Sequence, residues 1–132
     1  MATAKTTVTF SDLDLTMIIN PTNGDIVKVI NAAAINRSIQ ALIFSNMYDH
    51  PFRPDITSPI GSLLFQSYSP DIGNILEKVI SSLLNNFEPR IQLLDVSVDA
   101  APQDNSLSAT IIYQIVNNPA PITFNVLLKR LR

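Results

Sequence analysis

Glu88-Pro89-Arg90 sets opposite charges on either side of a proline, in a chain that holds only one other glutamate, Glu77. The Arg90 guanidinium presents five donors in a planar fork, the group best suited to bidentate capture of a carboxylate or of backbone carbonyls. Its alternative use is internal, with Glu88 and Arg90 pairing to neighbouring chain or capping a helix end. Spacing alone leaves both uses open. Glycoside hydrolysis would need two carboxyls facing one cleft at about 5 to 9.5 Å, and Asp95 is the nearby candidate to join Glu88; a solvated carboxylate near a helix end is the plainer reading. His50, between Asp49 and Pro51, could be a base oriented by a carboxylate. No nucleophile-elbow motif selects a serine for it, so it reads as a surface or loop-anchoring histidine. With no cysteine and one histidine, the chain excludes disulfides, thiolate nucleophiles, iron-sulfur clusters, cysteine-based zinc sites and multi-histidine metal sites.

The elements that would position these residues follow from periodicity. Leu15–Ile19 and Asp25–Ile30 are branched-rich runs separated by Asn20-Pro21-Thr22-Asn23-Gly24, which predicts a small hairpin. Asn31 is placed to cap a helix reaching about Asn46, with Ala32, Ile35, Ile39, Leu42 and Ile43 on one stripe and Asn36, Arg37 and Ser38 facing away. Prolines 51 and 54 make 48–58 an ordered loop. Ser58-Pro59 opens a short helix to about Phe65 with Ile60, Leu63 and Leu64 inward, and Ser69-Pro70-Asp71 opens another with Asp71 in its first turn. Ile72, Ile75, Leu76, Val79, Ile80, Leu83, Leu84 and Phe87 then repeat at helical spacing until Pro89 stops them.

Three strands follow, at about Ile91–Val98, Ser106–Val116 and Ile122–Lys129, with turns at Asp99–Asn105 and Asn117–Pro121. The second alternates Leu107, Ala109, Ile111, Tyr113, Ile115 and the third Ile122, Phe124, Val126, Leu128, a pattern of half-buried antiparallel strands. The expected class is α+β: helices packed on a C-terminal three-stranded antiparallel meander, with a small N-terminal hairpin, as a single domain over 1–132.

Composition bounds the partners. The net charge is −2 and the isoelectric point about 5.1, which argues against nucleic acid as the primary partner. Three of the nine basic residues, Lys129, Arg130 and Arg132, sit in the last four positions, a local cationic tip. Charged residues are only 15% and mean hydropathy is +0.22, against roughly 25% charged in ordinary soluble domains. Such a surface favours a subunit of an assembly. No apolar run approaches the roughly 20 residues that span a bilayer, and Met1–Phe10 lacks the apolar core of a signal peptide, so neither membrane nor secretion is expected. The strand ending at Lys129 is the last of the meander. One edge is therefore expected to be open, its margins guarded by Pro121, Lys129, Arg130 and Arg132, and that edge or the opposite one is expected to accept a strand from another chain. Asn125 faces outward, and Phe124 or Leu127 would fill a partner's pocket.

The order of landmarks resembles the baseplate wedge, or sheath-initiator, family of contractile-tailed bacteriophages, often labelled lysozyme-like and similar to a type VI secretion baseplate subunit. These landmarks are Phe10-Ser11-Asp12-Leu13-Asp14-Leu15, Gly24-Asp25, Ala34 through Arg37-Ser38 to Leu42-Ile43, Pro51-Phe52-Arg53-Pro54-Asp55, Ser62-Leu63-Leu64-Phe65, Phe87-Glu88-Pro89-Arg90-Ile91 and Leu128-Lys129-Arg130-Leu131-Arg132. The chain departs from the pattern at Asp49-His50, Ile56-Thr57 and Gln66. The resemblance implies a structural, non-enzymatic virion protein that needs no cofactor, assembled in the host cytoplasm into a sixfold tail baseplate. It would bind other wedge proteins through Glu88, Pro89 and Arg90 and offer its sheet to the tail sheath protein, with Phe124, Asn125, Leu127, Lys129 and Arg130 on that side. A peptidoglycan hydrolase and an anti-adaptor-type regulatory binding protein are the competing readings.

Overall fold

The computed structural model describes residues 9–66, 69–101 and 106–129. Its first pair of strands forms further out than expected: β1 (Ser11–Leu13) pairs antiparallel with β2 (Lys28–Ile30), and the inner run contributes a single bridge, Ile19 to Ile26. The reason is Asp14. Its carboxylate accepts the Thr16 N–H at 2.9 Å and the Thr16 hydroxyl at 2.6 Å, its carbonyl accepts the Met17 N–H, and Met17 takes φ 54°, so the strand breaks there. Gly24 supplies the positive φ that the Asn-Gly signal called for.

Helix α1 (Asn31–Phe44) follows without a side-chain cap. Asn31 is at φ 52° and its N–H donates to the Phe10 carbonyl at 2.7 Å, which extends the strand pair instead of capping the helix. Buried Ala34, Ile35, Ile39 and Ile43 make the core stripe, with Ala32 and Leu42 only half-buried. Asn36, Arg37 and Ser38 do not face solvent as expected: all three are half-buried and each holds a distant partner. Helix α2 (Ile60–Leu64) starts where the Ser58 hydroxyl accepts the Ile60 N–H at 3.3 Å.

Helix α3 (Ile72–Phe87) buries Ile72, Leu76, Ile80, Leu83 and Leu84, while Ile75 turns outward. Asp71 stands at its cap position, just before the first turn, and makes no cap bond. Pro89 ends the helix as its missing donor requires. The last intrahelical bond runs from the Glu88 N–H to the Leu84 carbonyl at 2.9 Å.

The three-stranded sheet, order β3-β4-β5, is antiparallel throughout: β3 (Ile91–Ala101), β4 (Ser106–Ile115) and β5 (Asn118–Lys129). Strand β3 runs three residues beyond the expected Val98. Strand β5 begins four residues before the expected Ile122, because the turn is only Val116-Asn117, with Asn117 at φ 70°. Pro119 and Pro121 lie inside β5, which an edge strand tolerates since a lost donor there need not break a ladder bond. Leu107, Ala109, Ile111, Tyr113 and Ile115 of β4 with Val126 and Leu128 of β5 close one core with the buried faces of α1, α2 and α3. Each fully buried Leu or Ile contributes roughly 1.5–3 kcal/mol. The architecture is the α+β arrangement that the patterning predicts.

Candidate functional site

The Glu88-Pro89-Arg90 turn is locked from inside. Glu88 leaves α3 pointing into the protein and is 3% exposed. Arg90 Nε donates to Glu88 Oε1 at 2.6 Å and Arg90 Nη2 to Oε2 at 3.0 Å, while the Ser38 hydroxyl of α1 also donates to Oε2. Burial pushes the Glu88 carboxyl up, but the bonds from Arg90 and Ser38 outweigh it and hold it below its ordinary value. The same contacts with Glu88 raise the pKa of Arg90. Beneath them lies fully buried Tyr113, whose hydroxyl donates to Asn36 Oδ1 at 2.6 Å. Its desolvation, with the Glu88 charge nearby, pushes it up to about 12. Of the two uses open to Arg90 on spacing alone, the internal clasp is therefore formed in the free chain.

The clasp extends to the N-terminal strand. Arg90 Nη1 donates to Asp12 Oδ2 at 3.1 Å, and the guanidinium lies 5.9 Å from the Phe10 ring centre. Two residues on, Asp14 takes both terminal nitrogens of Arg37 from α1. The bonds from Arg37 and Thr16 hold the Asp14 carboxyl well below the usual range. Sequence reasoning gave these aspartates no role. The available signal was their i, i+2 spacing, which puts both carboxylates on one side of a strand.

Which backbone edges of the sheet are open follows from one bond. The Val98 N–H of β3 donates to Glu77 Oε1 on α3 at 3.0 Å, so Val98 points away from β4. Its register partner Ala109 then directs its own groups to β5, where it faces Val126. Alternation makes Asn125 an outward residue, together with Thr123, Leu127 and Lys129; Pro121 is also outward, so its missing donor falls on the free side. Among the described residues nothing bonds these outward amides, and β5 is the open edge.

Of the two side chains named for a partner's pocket, Phe124 is half-buried against the core and Leu127, on the opposite face, is 51% exposed. Asn125 and Lys129 are exposed, and Arg130 lies outside the described residues. The carboxylates weighed for hydrolysis are employed or dispersed, with Glu77 on the Val98 amide, Glu88 in the clasp and Asp95 exposed on β3. His50 Nε2 lies 3.0 Å from the Ser45 hydroxyl and anchors the loop after α1. Among the described residues no group of His, Cys, Asp and Glu could hold a metal ion, and no helix is long and apolar enough to cross a membrane.

A family model described as "Baseplate wedge protein gp25" matches residues 31–120. The chain is 28% identical over 113 residues, 86% of its length and 85% of the relative's, to the baseplate wedge protein gp25 of Enterobacteria phage T4. A crystal structure from Geobacter sulfurreducens described as a tail lysozyme superimposes with a TM-score of 0.67 at 20% identity, covering 74% of this chain and 89% of that one. A chain of the six-fold symmetrised anti-feeding prophage baseplate superimposes with a TM-score of 0.64 at 12% identity, covering 94% and 88%.

Proposed function

The chain belongs to the baseplate wedge protein gp25 family, and from that premise we propose that it is a structural subunit of a contractile tail baseplate that joins the wedge core through Glu88-Pro89-Arg90 and starts the sheath from β5. The observation that carries the reading is the contrast between the two sheet edges. A row of outward groups at Thr123, Asn125, Leu127 and Lys129 can bond an incoming strand in register, and main-chain pairing of this kind gives affinity while exposed Leu127 gives side-chain selectivity. Lys129 sets positive charge on that edge, which favours an acidic strand or its approach.

The turn suits a different partner. Pro89 is exposed between two side chains that hold each other, so the backbone there is rigid before binding and loses little entropy on docking. Arg90 uses one Nη nitrogen for Asp12 and keeps further N–H groups for a wedge carboxylate or carbonyl. A sixfold ring of such subunits in the virion baseplate accords with the six-fold symmetrised baseplate neighbour, and assembly in the host cytoplasm is part of the same proposal.

The clasp around Glu88 weighs against the hydrolase reading: a glycosidase acid needs a carboxyl whose pKa is raised so that it carries a proton, whereas the bonds from Arg90 and Ser38 hold Glu88 below its ordinary value. Purified particles, dissociated stepwise and probed with antibody to this chain, test the assignment: recovery with the baseplate supports it, and absence from particles overturns it.

A further inference from the structure

Glu77 stands on α3 facing the edge of β3, 21 positions before the amide it binds, and its Oε1 accepts the Val98 N–H at 3.0 Å. One turn earlier, a β-carbon on Gly73 would stand 3.3 Å from the Val98 carbonyl oxygen, so helix and strand approach closely there and a side chain would need them to give by a few tenths of an ångström. Both backbone groups of Val98 are thus turned to α3. The rest of β3 is guarded by a bulge between Leu93 and Asp95 and by exposed Asp95 and Asp99, devices that discourage edge pairing. Among the described residues, strand β5 has Pro119, Pro121 and Lys129 toward its ends. The sheet is closed on one side by a side chain and open on the other.

We propose that Glu77 makes the sheet one-sided: by occupying the Val98 amide it withholds β3 from strand addition, so that β5 alone accepts a strand, and its loss exposes a second acceptor edge. In the purified protein that edge pairs with the β3 of a second copy, since two identical antiparallel edges meet about a two-fold axis with the same surface on each. The inference rests on the strand-acceptor reading only for what β5 receives. The closure of β3 is a property of the free chain.

The test measures amide exchange and the sedimentation of the free protein for wild type, Glu77→Ala and Glu77→Gln. In the wild type the Val98 amide exchanges more slowly than the Asn125 amide, although both face outward from edge strands. In Glu77→Ala, Val98 exchange speeds up at least about tenfold and the chain self-associates with rising concentration. Glu77→Gln, whose amide oxygen still accepts, behaves as the wild type in both. Equal exchange at Val98 and Asn125 in the wild type overturns the inference, a comparison that holds even if Glu77→Ala does not fold. So does a folded Glu77→Ala that has lost Val98 protection and self-associates no more than wild type. No sheath protein enters either measurement, so failure here is distinct from failure of sheath initiation.

Discussion

Arg90 and Asp12 are 78 positions apart and meet at 3.1 Å, which ties the N-terminal strand to the turn that ends α3. The same guanidinium holds the buried Glu88 carboxylate, so its two partners are worth different amounts. The Asp12 side chain is 41% exposed, and removing it by Asp12→Ala should cost only about 0.5 to 1 kcal/mol. Arg90→Ala leaves a carboxylate buried with only the Ser38 hydroxyl and should cost about 3 kcal/mol. Denaturant unfolding of the two variants checks the ratio; equal small losses would show that the clasp contributes nothing to the free chain.

Acid should loosen the same region. Glu88 and Asp14 both have folded-state pKa values below their ordinary 4.5 and 3.8. Their contribution is present above those values and is lost as pH falls through the depressed ones. Thermal melts between pH 7 and 2 should show stability falling below about pH 4.5, with a shallower fall in Asp14→Asn, which has no charge there to lose.

Tyr113 gives the opposite limb. Its pKa is raised from 10.0 to about 12, so the folded state keeps a proton that the unfolded state releases. Stability should be flat up to about pH 10 and fall between 10 and 12. Ultraviolet titration of phenolate, wild type against Tyr113→Phe, should assign the latest-titrating tyrosine to this residue.

Core and surface should separate cleanly. Leu84→Ala on α3 should cost about 2 to 5 kcal/mol, whereas Phe52→Ala, at a ring 95% exposed, should stay within roughly 0.5 kcal/mol. If Phe52→Ala instead spoils co-assembly with wedge proteins while leaving the melt unchanged, its loop is part of an interface.

Cell-wall fragments should not be released by the wild type or by Glu88→Gln in a soluble-product assay. Activity in the wild type that vanishes in the variant would promote the hydrolase.

The helices and the alternation of β4 and β5 were legible because a stripe at period 3.6 and an alternation at period 2 are local signals. Two features were not, each for a physical reason. The break of the first strand at Asp14 depends on a carboxylate binding its own following residues and a distant Arg37. The early start of β5 depends on a turn of only Val116-Asn117, with Asn117 at φ 70°, where the run of asparagines and prolines to Pro121 reads locally as one longer turn. The inward face of Phe124 was visible in the alternation with Val126 and Leu128, which sets it on the opposite face from Leu127. Of the functional candidates, Glu88-Pro89-Arg90 could be picked out from charge and proline alone, but Asp12 and Glu77, which complete the turn and close β3, are contacts across 78 and 21 positions that no local pattern announces.

The outward amide of Asn125 carries the most direct test of sheath initiation. Asn125→Pro removes a donor from the open edge without removing one from the β4 ladder, so the chain should fold and enter baseplates as the wild type does. Electron microscopy of particles assembled with it should show complete baseplates lacking polymerised sheath. Full-length sheaths on those baseplates, from a variant whose melt matches the wild type, would contradict β5 as the edge from which the sheath begins.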